Sequence, residues 1–113
     1  MKINSNAKGK TGEREFANFL KPFFPGARRG QQFKGTPDSP DVIVPGLEQF
    51  HFEVKRTESL SLYPTMEKAR EDAGDATAIL AHRRNGKEWL IVMYAGDWIR
   101  LVRDQELEDI LSE

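Results

Sequence analysis

The sequence predicts a single α/β domain over residues 1–113, with helices packed on a mixed central sheet. Apolar residues recur at the three-and-four spacing of a helix between positions 16 and 23. Apolar and polar residues alternate between positions 50 and 55, as in a half-buried strand. Asn85-Gly86 is a strong signal for a tight turn between two strands. Together these patterns predict the order helix, three strands, helix, two strands and one or two closing helices.

The composition narrows the class of protein. Hydrophobic residues make up 38% of the chain and charged residues 31%, which is typical of a soluble globular domain and excludes collagen-like and disordered chains. Cysteine is absent, so a disulfide framework, a thiolate zinc site and a cysteine nucleophile are excluded, and a cytoplasmic location is expected. Apolar runs fall short of the roughly 18 residues that span a bilayer, and residues 1–10 lack the apolar region of a signal peptide.

The first third of the chain predicts one helix and one short strand. We expect the helix to run from about Thr11 to Lys21, with residues 8–12 flexible before it and Pro25-Gly26 ending the segment. Residues 27–29 follow as a short edge strand. Residues 30–40 contain two glycines and two prolines, which predicts a loop.

The middle of the chain predicts a hairpin. Its strands are residues 41–44 and 49–57, joined by the turn Pro45-Gly46-Leu47. In the second strand, Phe50, Phe52 and Val54 alternate with polar residues and should face the core.

The remaining elements carry their own boundary signals. Pro64 in the first turn and Gly74 just past the end delimit a second helix. A second hairpin follows over residues 76–94, and the acidic C-terminal segment predicts the closing helix or helices. Trp98 and Phe23 fall in apolar stretches, so we expect both in the core.

The polar face of the first hairpin gathers charged side chains. Because strand side chains alternate between faces, Asp41 falls on the same face as Glu53 and Lys55 when the apolar residues are buried. Glu53 and Lys55 are about 6.5 to 7 Å apart along the strand. Asp41 lies near Glu53 if Val44 pairs with Phe50. Two carboxylates and an ammonium group are therefore expected to converge.

This set of groups suits metal-assisted hydrolysis of a phosphodiester. Mg²⁺ prefers a few carboxylate oxygens plus waters, and an adjacent lysine can orient or deprotonate a metal-bound water. Glu13 lies about 60° from the middle of the apolar stripe of its helix, where an acid is costly unless it has a partner. The alternative is ordinary surface chemistry, with Asp41 starting a strand, Glu53 and Lys55 forming a weak ion pair and Glu13 stabilising its helix N-terminus.

These residues carry a resemblance to a known superfamily. Pro40-Asp41, eleven intervening residues and Glu53-Val54-Lys55 match the PD-(D/E)XK nuclease motif. Lys8-Gly9 followed by Glu13-Arg14-Glu15 resembles the opening helix of archaeal-type Holliday-junction resolvases. The resemblance extends from Lys8 to about Tyr94.

The resemblance implies a restriction-endonuclease-like αβββαββ core, dependence on Mg²⁺ with Mn²⁺ as a substitute, and often a homodimer. It makes Glu13, Asp41 and Glu53 metal ligands, adds the carbonyl of Val54 as a further ligand, and assigns Lys55 to position the attacking water. The implied activity is endonucleolytic cleavage of branched DNA such as Holliday junctions, in recombination or repair in a prokaryotic or phage-infected cell. The alternatives are a less structure-specific nicking or restriction-like nuclease, and a catalytically inactive DNA-binding module of the same fold.

Basic residues are concentrated at the start of the chain. The first 35 residues carry eight lysines and arginines against two acids, while the rest of the chain is net acidic. This asymmetry fits either a one-sided nucleic-acid face or simple solvated charge. Given the nuclease resemblance, we expect Lys8, Lys10, Arg28, Arg29 and Lys34 to contact backbone phosphates.

Overall fold

In a computed structural model, the chain forms three helices and a five-stranded mixed sheet; the structure describes residues 5–30 and 39–112. In chain order the elements are α1 (Ser5–Leu20), β1 (Arg28–Arg29), β2 (Val42–Ile43), β3 (Phe50–Arg56), α2 (Leu62–Ala73), β4 (Thr77–Arg83), β5 (Leu90–Val92) and α3 (Ala95–Ser112). The predicted order of elements is confirmed, with one closing helix.

Helix α1 begins earlier than the sequence predicted. The expectation that residues 8–12 are flexible was wrong, because the helix starts at Ser5 and continues through both Gly9 and Gly12. Gly12 is buried, and a Cβ built on it would lie 2.6 Å from the Cβ of Arg56. The helix therefore packs so closely on β3 that only glycine fits, and this contact offsets the cost of about 0.5–1 kcal/mol of a glycine in a helix interior.

The sheet combines antiparallel and parallel pairing. Its strand order is β1-β2-β3-β4-β5, with β1, β2 and β3 antiparallel to their neighbours and β1 at the edge, as predicted. Helix α2 links β3 to β4, which run parallel, and β4 pairs with β5 in antiparallel fashion. Gly86 has a φ of 69° in the turn before β5, which explains the glycine there.

The two faces of the sheet have different roles. Phe52 and Val54 are buried in the main core with Phe16 of α1, whose ring centroid lies 6.1 Å from that of Phe52 and 4.9 Å from that of Trp89. The opposite face carries Glu53 and packs against α2. The predicted alternation along β3 is thus confirmed, and it places the polar residues in a cleft beside α2.

Helix α3 is not part of this core. It buries none of its residues, and Trp98 is 55% exposed. Phe23, after α1, is 72% exposed. The prediction that these two aromatic side chains lie in the core was therefore wrong. Among the residues that the structure describes, no helix is both long and apolar enough to cross a membrane.

Candidate functional site

Asp41 is held in place by the backbone around it. Its N–H donates to the carbonyl of Phe52 and its own carbonyl accepts the N–H of Gly30, each at 2.8 Å. A Cβ on Gly30 would lie 2.1 Å from the Pro40 carbonyl oxygen, so glycine is required for this approach. The carboxylate oxygen Oδ2 accepts the N–H of Val54 at 2.8 Å. Asp41 is therefore fixed between β1 and β3 and buried.

The strand register brings Asp41 to Glu53. Val42 pairs with Phe52, which is the register that pairs Val44 with Phe50 when extended along the hairpin. Extended one residue the other way, it places Asp41 opposite Glu53. The condition under which the sequence predicted their approach is thus met.

The neighbouring acids change the protonation of Asp41. Burial, followed by the negative charge of Glu53, raises the pKa of Asp41 from 3.8 to about 8. The charge of Glu13 and a side-chain hydrogen bond with Glu53 act in the same direction, while the Val54 N–H opposes them. Like charges are thus held close together where solvent screens them poorly, which is the electrostatic signature of many functional sites.

Glu13 has a basic partner that the sequence did not reveal. It lies in α1 directly after Gly12, it is 9% exposed, and its Oε2 accepts a hydrogen bond from Nε of Arg29 at 2.6 Å. Arg29 was predicted to contact phosphate, but the structure places it in this ion pair. The pair explains how an acid can be buried at the margin of the apolar stripe of α1.

The predicted metal ligands can be compared with this geometry. Within residues 5–30 and 39–112, no group of three or more histidine or acidic side chains is arranged to hold a metal ion as it stands. The donor chemistry nevertheless fits Mg²⁺ or Mn²⁺, because Asp41 and Glu53 offer hard carboxylate oxygens whose mutual repulsion a divalent cation would relieve. Glu13 would have to exchange Arg29 for the ion. Val54 is buried, and its N–H orients Asp41.

Lys55 opens onto a cleft between β3 and α2. The cleft has a volume of about 260 Å³, and Glu53, Lys55, Thr65 and Lys68 contribute to its lining. Lys55 is exposed there, on the face that the alternation of β3 predicted. Two lysines and a carboxylate at one open cleft could bind a phosphate group and orient a water beside it.

Lys68 was only a weak candidate from sequence. Its Nζ donates to Asp72 Oδ2 at 3.0 Å, and the hydrogen bond and charge of Asp72 raise the pKa of Lys68, with a smaller contribution from Glu53. A signal was available in the sequence, because a helix linking two parallel strands must cover one face of the sheet. The face it covers is the one that carries Lys55.

The two histidines have structural partners. His51 is buried with its Nε2 3.3 Å from Oε1 of Glu53, and His82 is buried with its Nε2 3.0 Å from the carbonyl oxygen of Thr57. Both were predicted to be structural or peripheral rather than metal ligands. His51 also helps to set the direction of the Glu53 carboxylate.

The other predicted phosphate contacts are distributed along the first third of the chain. Lys10 in α1 and Arg28 in β1 are exposed. Lys8 belongs to α1, but its side chain lies outside the described residues, as does the whole of Lys34.

Comparison with known proteins adds no relative. No protein-family model matches the chain, and neither a curated protein nor a solved structure is significantly similar to it. The site itself, and the motif it contains, therefore carry the inference about function.

Proposed function

We propose that the protein is a Mg²⁺-dependent endodeoxyribonuclease of the PD-(D/E)XK type that cleaves branched DNA such as Holliday junctions. One observation carries the proposal: buried Asp41 is held against Glu53 with its pKa raised to about 8, on the face of the hairpin from which Lys55 projects. The carboxylates and the lysine of the motif thus occupy one side of one hairpin, as hydrolysis at phosphorus requires.

The topology is compatible with this proposal. Three antiparallel strands lead through α2 to a fourth strand that runs parallel to the third. This is the arrangement that the resemblance to a restriction-endonuclease-like core implies. It supports the assignment because it delivers Asp41 and Glu53 from adjacent strands and α1 from the side.

The residues of the chain have distinct roles in the proposed reaction. Asp41 and Glu53 would hold Mg²⁺, with Glu13 and the Val54 carbonyl as further ligands implied by the resemblance. The bound ion supplies Lewis-acid chemistry at the phosphate. The Val54 N–H and the ring of His51 restrict the two carboxylates to one orientation each.

Lys55 acts on the attacking water and on the phosphate. Its ammonium group donates hydrogen bonds that position the water and stabilise the charge that develops on the phosphate oxygens. Lys68 lies on the facing wall of the cleft, where it can bind a neighbouring phosphate. Lys10 and Arg28 are exposed and would contact the DNA backbone outside the cleft, with Lys8 and Lys34 as further contacts proposed from sequence.

A cleavage assay tests the proposal. Labelled four-way junction, linear duplex and single-stranded DNA are incubated with the protein in Mg²⁺, Mn²⁺ or EDTA. We expect cleavage of the junction with either ion and none in EDTA. Glu53→Gln should abolish cleavage, whereas Glu67→Gln, a matched change at an exposed position of α2, should not.

Two outcomes would change the assignment. Equal cleavage of duplex and junction would favour the nicking or restriction-like alternative. Binding of DNA without cleavage in either ion would contradict the enzyme and support the inactive DNA-binding module.

A further inference from the structure

Helix α3 carries large apolar side chains on two opposite sides. Successive residues of a helix turn by about 100°, which separates these side chains into two groups about 180° apart. One group is Trp98, Leu101 and Val102, and the other is Leu107, Ile110 and Leu111. Their exposed fractions range from 38% to 76%. A helix that is apolar on opposite sides normally has a packing partner on each of them.

The rest of the chain can serve one of these sides. Leu101 lies at the edge of an apolar groove that it lines together with Ile91, Met93 and Phe24. A straight helix cannot turn its opposite side toward the same groove. The side formed by Leu107, Ile110 and Leu111 therefore faces away from the sheet and needs a second surface.

The charges on α3 indicate what that surface is. Its first half carries Arg100 and Arg103, which project on the same side as Leu107 because they precede it by seven and four positions. Its second half carries acids without a base: Asp104, Glu106, Glu108 and Asp109. This acidic half would repel nucleic acid and other polyanions. Two copies of α3 side by side in parallel would place these acids against each other, whereas antiparallel copies would place each acidic half against two arginines.

We propose that α3 is the interface with a second copy of this chain, paired antiparallel through Leu107, Ile110 and Leu111. A two-fold axis relates antiparallel helices, so the same surface serves on both copies. The helix has 18 residues and is about 27 Å long, which by itself gives less than the roughly 800 Å² per partner of a stable interface. The dimer should therefore dissociate on dilution. The inference does not depend on the nuclease proposal.

Sedimentation equilibrium of the full chain tests this interface. Between about 1 µM and about 200 µM, where a modest interface dissociates, the mass should rise from 12.9 kDa toward twice that value. Leu107→Glu should remain at 12.9 kDa throughout. Because Leu107 is 56% exposed, the circular dichroism spectrum of the variant should match that of the wild type.

Two further variants give the control and the orientation. Gln105→Glu adds an acid to the opposite side of α3 and should dimerise like the wild type. Arg103→Glu should weaken the antiparallel dimer at least about tenfold, since it places acid against acid. A monomeric wild type at every concentration, a Leu107→Glu variant that still dimerises, equal loss in Gln105→Glu, or no effect of Arg103→Glu would each overturn the proposal.

Discussion

The raised pKa of Asp41 makes the stability of the protein depend on pH. In the unfolded chain Asp41 releases its proton near pH 3.8, whereas in the folded chain it does so near pH 8. Between these values the folded state binds a proton that the unfolded state has lost, so the free energy of unfolding falls as pH rises. The slope is about 1.4 kcal/mol per pH unit, which over four units gives an upper bound on the order of 5 kcal/mol.

Replacing Asp41 by Asn should remove this dependence. The amide oxygen can still accept the Val54 N–H, but the side chain neither titrates nor repels Glu53. The variant should therefore be more stable than the wild type, by a margin that grows on the order of 3 to 4 kcal/mol from pH 5 to pH 8. The measurement is urea denaturation in EDTA at both pH values. Asp75→Asn, at an exposed position, is the matched control and should show no growing margin. A margin for Asp41→Asn that is constant or shrinks with pH would refute the electrostatic reasoning.

Three further predictions concern the ion, the DNA and the packing of α1. Mg²⁺ at about 10 mM should stabilise the wild type by about 1.4 kcal/mol for a Kd of about 1 mM, a thermal shift of several degrees, and Asp41→Asn should lose most of it; an equal shift in both proteins would count against the metal site. Arg28→Ala should reduce by about one the slope of log affinity for DNA against log salt, measured by fluorescence anisotropy in Ca²⁺, and an unchanged slope would remove Arg28 from the DNA face. Gly12→Ala should destabilise the fold by about 1–3 kcal/mol in denaturant titration, since its Cβ would overlap Arg56, whereas Gly9→Ala, with open space around it, should stabilise by up to about 1 kcal/mol; similar effects of the two would contradict the close packing.

Much of the fold could be predicted because its signals are local. The alternation of Phe50, Phe52 and Val54 defines a strand face without any knowledge of what covers it. The start of α1 could not be predicted in the same way. Whether Gly12 breaks or continues the helix depends on the Cβ of Arg56, which lies more than forty positions away in the sequence.

The candidate site divides along the same line. Parity along two strands predicted that Asp41 and Glu53 share a face, and the register bears this out. The ion pair between Arg29 and Glu13 joins residues 16 positions apart through the packing of α1 on β1, and local periodicity carries no sign of it. The exposure of α3 could have been anticipated, because its apolar residues already fall on opposite sides of a helical wheel in the sequence.

The most direct test of the central claim is the rate at which four-way junction DNA is cleaved in Mg²⁺ by the wild type and by Lys55→Met. Methionine keeps most of the volume of the lysine side chain but removes its charge, so the variant should fold normally and keep its thermal shift with Mg²⁺. Its cleavage rate should fall at least about 100-fold, the scale of losing one electrostatic or acid-base group. Lys21→Met, an exposed change just after the other end of α1, should cleave at the wild-type rate. Lys55→Met cleaving as fast as the wild type, or a wild type that cleaves no DNA in Mg²⁺, would contradict the account.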